Sequence, residues 1–412
     1  MAKIAVIGGG ISGLGIAQRL KKQYEITVFE ADSRPGGLIK CDRVEGNLFH
    51  IVGGHIFNSR RQDVLDWFWN FFDCEKEFTK IPRNAVVSMP DGRLIMYPIE
   101  NHIYQMSPEE MKAIIKDLIQ IAKSDKGEPR NFEEFLRTRF GDTLYKLYFQ
   151  PYNEKVWRKD LTAVPLSWLA GKLPMPTVEE IILNNFNQVE EMNMVHSSFW
   201  YARKDGSQFI ANRMAENLKV VYNSTITRIE KSGDKWSVGG DQFDKVIFCG
   251  NIKDFPAMVT GSIDISGYEK SIEELDFHGT TVVFCEMENN PYSWIYMPGR
   301  EHQSHRFICT GNYAASNNVE GKTTTSLEFT DYISKEDIDE QIKKIPFSPK
   351  YITHKYTKYT YPIQFPTSRE MISSLKSVAE KEGVYLLGRF AEWEYYNMDA
   401  ALGAGLDLAK RI

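Results

Sequence analysis

The hydrophobic pattern at the head of the chain changes period twice before residue 30. Ile4 to Ile7 is a short apolar run, the mark of a buried strand. Past it, Ile11, Leu14, Ile16 and Leu20 recur at helical spacing, and Glu25-Ile26-Thr27-Val28-Phe29 returns to strand character. The switch from strand to helix falls on Gly8-Gly9-Gly10-Ile11-Ser12-Gly13.

The same reading carries along the chain. A helix is predicted from about Asp63 to Phe72, and Ala85–Met89 with Arg93–Tyr97 flank Pro90-Asp91-Gly92 as a hairpin. Ser107-Pro108-Glu109-Glu110 is a capping box with proline at the first helical position. Met111, Ile114, Ile115, Leu118, Ile119 and Ala122 behind it predict one apolar face. Asn131 and Thr177 each precede a glutamate by three residues (Glu134, Glu180), so about 105 to 195 reads as mostly helical. Strands are predicted at Lys219–Tyr222, Thr225–Ile229, Lys235–Val238 and Asp244–Gly250. From Thr280 to about Thr360 the chain reads mainly as sheet. A helix near Arg369–Lys381, a strand Val384–Gly388 and a helix from about Met398 to Ala409 follow.

Glycine spacing gives the opening turn a chemistry. Gly8, Gly10 and Gly13 fit G-x-G-x-x-G: the first permits a tight turn, the second lets backbone approach a pyrophosphate, and the third lets helix and strand pack closely. The free N–H groups of the helix N-terminus then face the phosphates. Glu30 ends the second strand, 20 residues past Gly10, where a carboxylate can bind a ribose 2′-OH. A dinucleotide site is expected here.

Composition narrows the partners. Charged residues make up 25% of 412 and the net charge is −5, which gives no electrostatic reason to bind nucleic acid or an anionic membrane. No apolar run approaches the roughly 18 residues of a membrane span. Five scattered cysteines without a C-x-x-C pair point to a reducing compartment and against a zinc site, so a cytoplasmic protein without a metal is expected. The oligomeric state stays open.

Three further stretches carry a resemblance. They are Gly53-Gly54-His55-Ile56-Phe57-Asn58-Ser59, Tyr152-Asn153-Glu154-Lys155-Val156-Trp157 and Gly388-Arg389-Phe390 through Met398-Asp399. With the opening turn and the Arg34-Pro35-Gly36-Gly37 segment, they resemble the UDP-galactopyranose mutase-like branch of the FAD-dependent amine oxidase and protoporphyrinogen oxidase-like superfamily. The resemblance implies an α/β fold: a Rossmann-type FAD-binding domain with a helical insertion and an antiparallel substrate-binding sheet. The expected FAD domain takes residues 1–80, 205–260 and 365–412, the helical insertion 100–200, and the substrate sheet 81–99 with 261–364.

Carried over residue by residue, it implies that Gly8, Gly10, Ile11, Ser12 and Gly13 hold the pyrophosphate and Glu30 the ribose. Arg34, Gly36 and Gly37 would support the phosphate and ribityl region, and Val221 would offer backbone to the adenine. Gly54 and His55 would lie beside the isoalloxazine, with Gly388, Arg389, Met398 and Asp399 closing the site. Tyr152 and Trp157 would wall the substrate pocket, and Tyr395 would reach a substrate phosphate. His55 and Arg389 are the candidate catalytic residues, although a positional role beside the flavin suits His55 better than acid–base chemistry.

The departures matter too. The resembled mutases carry two phosphate-binding arginines, and here Lys172 and Trp294 stand at those places. Lysine is a point charge and cannot reproduce the bidentate arginine–phosphate geometry. Arg203, Arg300 and Arg306 are nearby cations whose direction the sequence leaves open. Two reactions share the cofactor residues: pyranose–furanose isomerisation of a nucleotide sugar through reduced flavin N5, and oxidation of an amine, sugar or carbon–carbon bond. In the second, Tyr395 and Tyr396 with Trp393 could cage the substrate. A non-catalytic nucleotide-binding protein is the third reading. NAD(P)H is a candidate reductant. Glu154 and Lys155 read as a local ion pair or solvated charges.

Overall fold

The computed structural model describes residues 1–412 except 125–126, 165, 167–175 and 189–196. Lys3–Ile7 lies at the centre of a five-stranded sheet, ordered 384–386, 245–248, 3–7, 25–29, 219–221. All four pairings are parallel. Its strands are short and apolar because both faces are covered, one by the first and last helices and the other by a three-stranded sheet, 229–232, 235–238 and 241–243, with the helix Pro366–Lys381, which leaves no solvent side to alternate with. Ile11–Leu20 follows the first strand and Met398–Ala409 ends near it. A Cβ on Gly15 would lie 2.7 Å from Leu402, so the first and last helices touch where that glycine has no side chain.

A seven-stranded sheet stands beside it, ordered 350–362, 277–286, 324–330, 306–308, 294–296, 85–88, 94–96. The expectation of an antiparallel sheet needs one correction: 85–88 pairs with 294–296 in parallel, the other pairings being antiparallel. Strands so far apart in sequence have no hairpin to set their direction. The predicted hairpin 85–88/94–96 forms at one edge.

A helical layer packs against the seven-stranded sheet. Pro108–Lys123 carries the full capping box at Ser107, and Asn131 caps Phe132–Leu144 by accepting from the Glu134 N–H. Its predicted apolar face is narrower than expected: Ile114 and Leu118 are buried, but Ile115 and Ile119 are 44% and 45% exposed. The helix buries one i, i+4 row and turns the next to solvent. Two other expectations shift. The strand read at 225–229 lies at Ile229–Ser232, where a two-residue Gly233-Asp234 turn sets its register against Lys235–Val238. The stretch read mainly as sheet also holds a helix, Lys335–Ile342, capped by Ser334.

Candidate active site

The glycine turn forms as its spacing demands. A Cβ on Gly13 would lie 2.0 Å from the Gly8 carbonyl oxygen, so helix and strand meet at a distance only glycine allows. Gly8 has φ +110°. Gly10 caps the first helix without a side chain, and no acid stands in that helix's first turn. In front of Gly10 a Cβ would meet only the Gly37 Cα, at 3.9 Å. The Gly9 carbonyl accepts from Gly36 N–H at 2.9 Å, so the Gly36-Gly37 turn is fastened alongside. Ser12 faces the far end of the chain: a Cβ on Gly388, at φ +107°, would lie 2.7 Å from its Oγ. An uncapped helix end between two glycine turns fits a pyrophosphate.

Glu30 is buried beside that turn. Its carboxylate accepts from the Gly9 N–H at 2.7 Å and the Asp32 N–H at 2.9 Å, with Lys40 Nζ at 3.9 Å. Lys40 also holds Asp32, lowering its carboxyl to about 2, chiefly through that hydrogen bond. The Val221 carbonyl accepts from the Glu30 N–H at 2.9 Å, which ties the expected adenine end to the ribose end. Arg34 donates to the Cys41 carbonyl at 2.7 Å and pairs with Asp42. Met398 is buried among Leu14, Leu402 and Leu406, and burial raises the Asp399 carboxyl, beside Ser59.

The Gly53–His55 segment is held from behind. His50 is fully buried; its Nδ1 accepts from the His55 N–H at 3.3 Å and its Nε2 lies 2.8 Å from the Tyr201 hydroxyl. Burial lowers His50 to about 3, and burial with Arg389 nearby lowers His55 to about 4. Both imidazoles are therefore neutral near pH 7. His55 Nε2 and Arg389 Nε are buried polar atoms with no hydrogen-bond partner among the described residues. A flat polar group seated between them would supply one, which fits an isoalloxazine.

A buried histidine with a depressed pKa makes the fold acid-sensitive. The unfolded His50 binds a proton below about 6.5 while the folded one stays neutral to about 3. Stability is complete above pH 6.5 and falls between those values, by about 1.4 kcal/mol per pH unit from this residue. Urea midpoints measured from pH 7 to 4 are expected to drop steadily, and His50→Gln to flatten the slope. Equal slopes would rule this origin out.

From Arg389 a line of arginines and tyrosines leads away. The Arg389 guanidinium lies 4.4 Å from the Tyr395 ring and 5.0 Å from Tyr361, and these two rings stack at 5.6 Å. Tyr361 accepts from Arg306 at 3.0 Å. Arg306 pairs with Glu328, whose other oxygen accepts from the Gly53 N–H at 3.1 Å. Arg306 opposes the burial penalty and holds the Glu328 carboxyl at about 2. Tyr152 packs edge-on to Tyr296 at 5.6 Å and to His305 at 6.2 Å. At the far end the Arg83 guanidinium donates to the Tyr296 hydroxyl and lies 5.2 Å from the Tyr97 ring and 5.0 Å from the Trp294 ring.

The remaining candidates fall elsewhere. Trp157 is buried edge-on to Phe132 in the helical core. Burial, with Glu392 alongside, raises the Tyr396 hydroxyl. Lys172 lies outside the described residues. Arg300 pairs with Glu154 at 2.6 Å, and Arg203 donates to the Glu75 carbonyl. Lys155 is neither solvated nor paired with Glu154: its Nζ donates to the Met297 and Ser304 carbonyls, and burial lowers it to about 7. Among the described residues no cluster suits a metal ion, and no helix is long and apolar enough to cross a membrane. Arg83, Glu328 and Tyr361 were not singled out from the sequence. The one signal available was Glu328 itself, the single charge in the Thr-rich, strand-forming stretch Thr324–Thr330.

A parallel dinucleotide-type sheet stands beside a second, mixed sheet, and an arginine–tyrosine line leads from Arg389 to Arg83; comparison with known proteins gives this architecture its class. Residues 6–73 match the NAD(P)-binding Rossmann-like domain. The chain is 23% identical to dTDP-fucopyranose mutase of Escherichia coli over 100% of its own length and 98% of that protein. It is 20% identical to UDP-galactopyranose mutase of Mycoplasma genitalium, covering 99% and 94%. Among solved structures, reduced UDP-galactopyranose mutase superposes with a TM-score of 0.86 at 22% identity, covering 100% of this chain and 95% of that one. A putrescine oxidase bound to putrescine follows the same fold at 0.65 and 12%, covering 100% and 98%. The resemblance read from the sequence thus runs the whole length of the chain, and mutase and oxidase relatives indicate an enzyme.

Proposed function

We propose that this chain is an FAD-dependent enzyme that interconverts the pyranose and furanose forms of a nucleotide-linked sugar. The observation that carries the reading is end-to-end similarity to two sugar-nucleotide mutases. The arginine–tyrosine line beginning at His55 and Arg389 supports it. In this reading Gly8, Gly10, Gly13, Gly36 and Gly37 hold the pyrophosphate of FAD, and Glu30 its ribose. Gly54, His55, Gly388 and Arg389 surround the ring. The three units, 1–80 with 205–260 and 365–412, 100–200, and 81–99 with 261–364, form the cofactor, helical and substrate parts, and the enzyme works in the cytoplasm.

A bound, reduced flavin supplies a nucleophilic N5 for the anomeric carbon. The protein's own part is orientation, charge and exclusion of water. Neutral His55 holds its place through its backbone bond to His50 and offers one imidazole edge to the ring. Arg389, stacked over Tyr361 and Tyr395, keeps positive charge at the end of the line where substrate meets cofactor. Tyr152 and Tyr296 exclude water along the way.

The test is incubation of the purified yellow protein with dTDP- and UDP-hexoses, under dithionite and under air, with NAD(P)H as a second reductant. A furanose product formed only under reduction is expected. Substrate-dependent oxygen uptake without any isomer would replace the mutase with an oxidase. A preparation that neither carries nor takes up flavin would remove the cofactor.

A further inference from the structure

We propose that Arg83 is the phosphate-recognising cation of this site, taking the diphosphate of a nucleotide-linked substrate, with Trp294 as the platform on which its guanidinium stacks. The inference rests on the reading above and names a residue that the resemblance did not carry over.

Arg83 sits in the link Pro82-Arg83-Asn84, between the strand Phe78–Pro82 and the strand Ala85–Ser88. The parallel pairing sets Ala85 opposite Trp294 and Val87 opposite Tyr296, so the link delivers Arg83 beside the strand where an arginine was expected and a tryptophan stands. Cation and ring have exchanged strands. The guanidinium lies over two rings, Tyr97 and Trp294. Stacking uses the faces of the planar group and leaves its N–H edge for hydrogen bonds.

That edge is underused. Among the described residues only the Tyr296 hydroxyl accepts from it, Nε is buried with no acceptor, and no carboxylate pairs with the charge. A half-buried guanidinium without a counter-ion is costly, and an anion in two-point contact removes the cost. The other arginines of the line are committed differently. Arg306 is neutralised by Glu328, and Arg389 stands at the opposite end, by His55. Among the described residues of the line, Arg83 alone combines an uncompensated charge with a place remote from the ring-binding end, where the diphosphate of a substrate whose sugar reaches His55 would lie. Tyr296 fixes the approach, and Tyr97 and Trp294 shield the pair from water, which strengthens the attraction.

Calorimetric titration of the flavin-loaded protein with dTDP, UDP, inorganic pyrophosphate, thymidine and uridine tests this. Arg83→Met is expected to weaken both nucleoside diphosphates by about thirtyfold or more, the usual consequence of deleting a charged hydrogen-bonding partner. Nucleoside binding should stay within about twofold, and Arg83→Lys should restore only part of the loss. Tyr296→Phe, which frees the guanidinium without removing it, is expected to cost a few-fold for the diphosphates and nothing for the nucleosides. It also serves if Arg83→Met does not fold. Wild-type protein that binds diphosphates while Arg83→Met, or failing that Tyr296→Phe, binds them equally well would overturn the assignment of Arg83 and leave the mutase reading standing. Wild-type protein that binds neither diphosphate would remove both.

Discussion

Gly13→Ala is expected to abolish cofactor retention and to destabilise the fold. The added methyl would stand 2.0 Å from the Gly8 carbonyl oxygen and 3.2 Å from Val6, both on the central strand or its first turn. No rotamer relieves this, because a Cβ has none. The helix Ile11–Leu20 must shift, and its N-terminal N–H groups move away from the phosphates they are to meet. Overpacking of this kind costs about 3 kcal/mol, and a shift of the pyrophosphate turn lowers dinucleotide affinity by about a hundredfold. The ratio of flavin absorbance to protein absorbance after gel filtration, with a urea melt, checks both parts. Full flavin content in a stable variant would refute the close contact. Gly10→Ala gives the contrast: its Cβ meets only Gly37, so stability should hold while flavin is lost.

Glu328→Gln is the second large effect. The carboxylate is fully buried and holds Arg306 on one oxygen and the Gly53 N–H on the other. The amide keeps the shape and can still accept one bond, but Arg306 is left charged and uncompensated. Breaking one side of a buried pair costs about 3–5 kcal/mol, whereas replacing both partners by apolar residues is often near neutral. Glu328→Leu with Arg306→Met should therefore be more stable than Glu328→Gln alone, and a urea series on the single and double variants measures the difference. The pH dependence has its own window. The folded carboxyl is held at about 2, below its unfolded value near 4.3, so its stabilisation is complete above that value and lost as pH falls through about 2. The gap between wild type and Glu328→Gln should narrow only between about pH 4.3 and 2, a window that begins inside the lower end of the range where His50 acts and extends below it.

How far the sequence reached depends on whether the information was local. Gly8 to Gly13, the strand before them and Glu30 after them lie within one strand–helix–strand unit, so spacing alone defined the turn. The caps at Ser107, Asn131 and Thr177 were legible for the same reason, each being a side chain bonding to backbone three residues on. The arginine–tyrosine line was not. Arg83 lies in a polar link whose neighbours carry no pattern, and its meaning comes from a strand more than 200 residues away. Arg306 was in view with Arg203 and Arg300, but only tertiary packing shows that it alone joins the line. Lys155 went astray through the opposite error: a charged residue beside Glu154 reads as paired or solvated until the carbonyls of Met297 and Ser304 come in from the connection between the strands 294–296 and 306–308.

The five-stranded sheet has a consequence for how the protein is made. Its central strand leaves the ribosome first, but the strands that flank it on one side, at 245–248 and 384–386, come late, and Met398–Ala409 comes later still. At roughly 5–20 residues per second, the glycine turn waits on the order of half a minute before the last helix exists. Any cofactor loading that needs both ends is then a step after translation. In the interval the turn's apolar flanks, Leu14 and Ile16, have no Leu402 or Gly405 to pack against. A nascent chain stalled before residue 398 should therefore bind chaperones and carry no flavin.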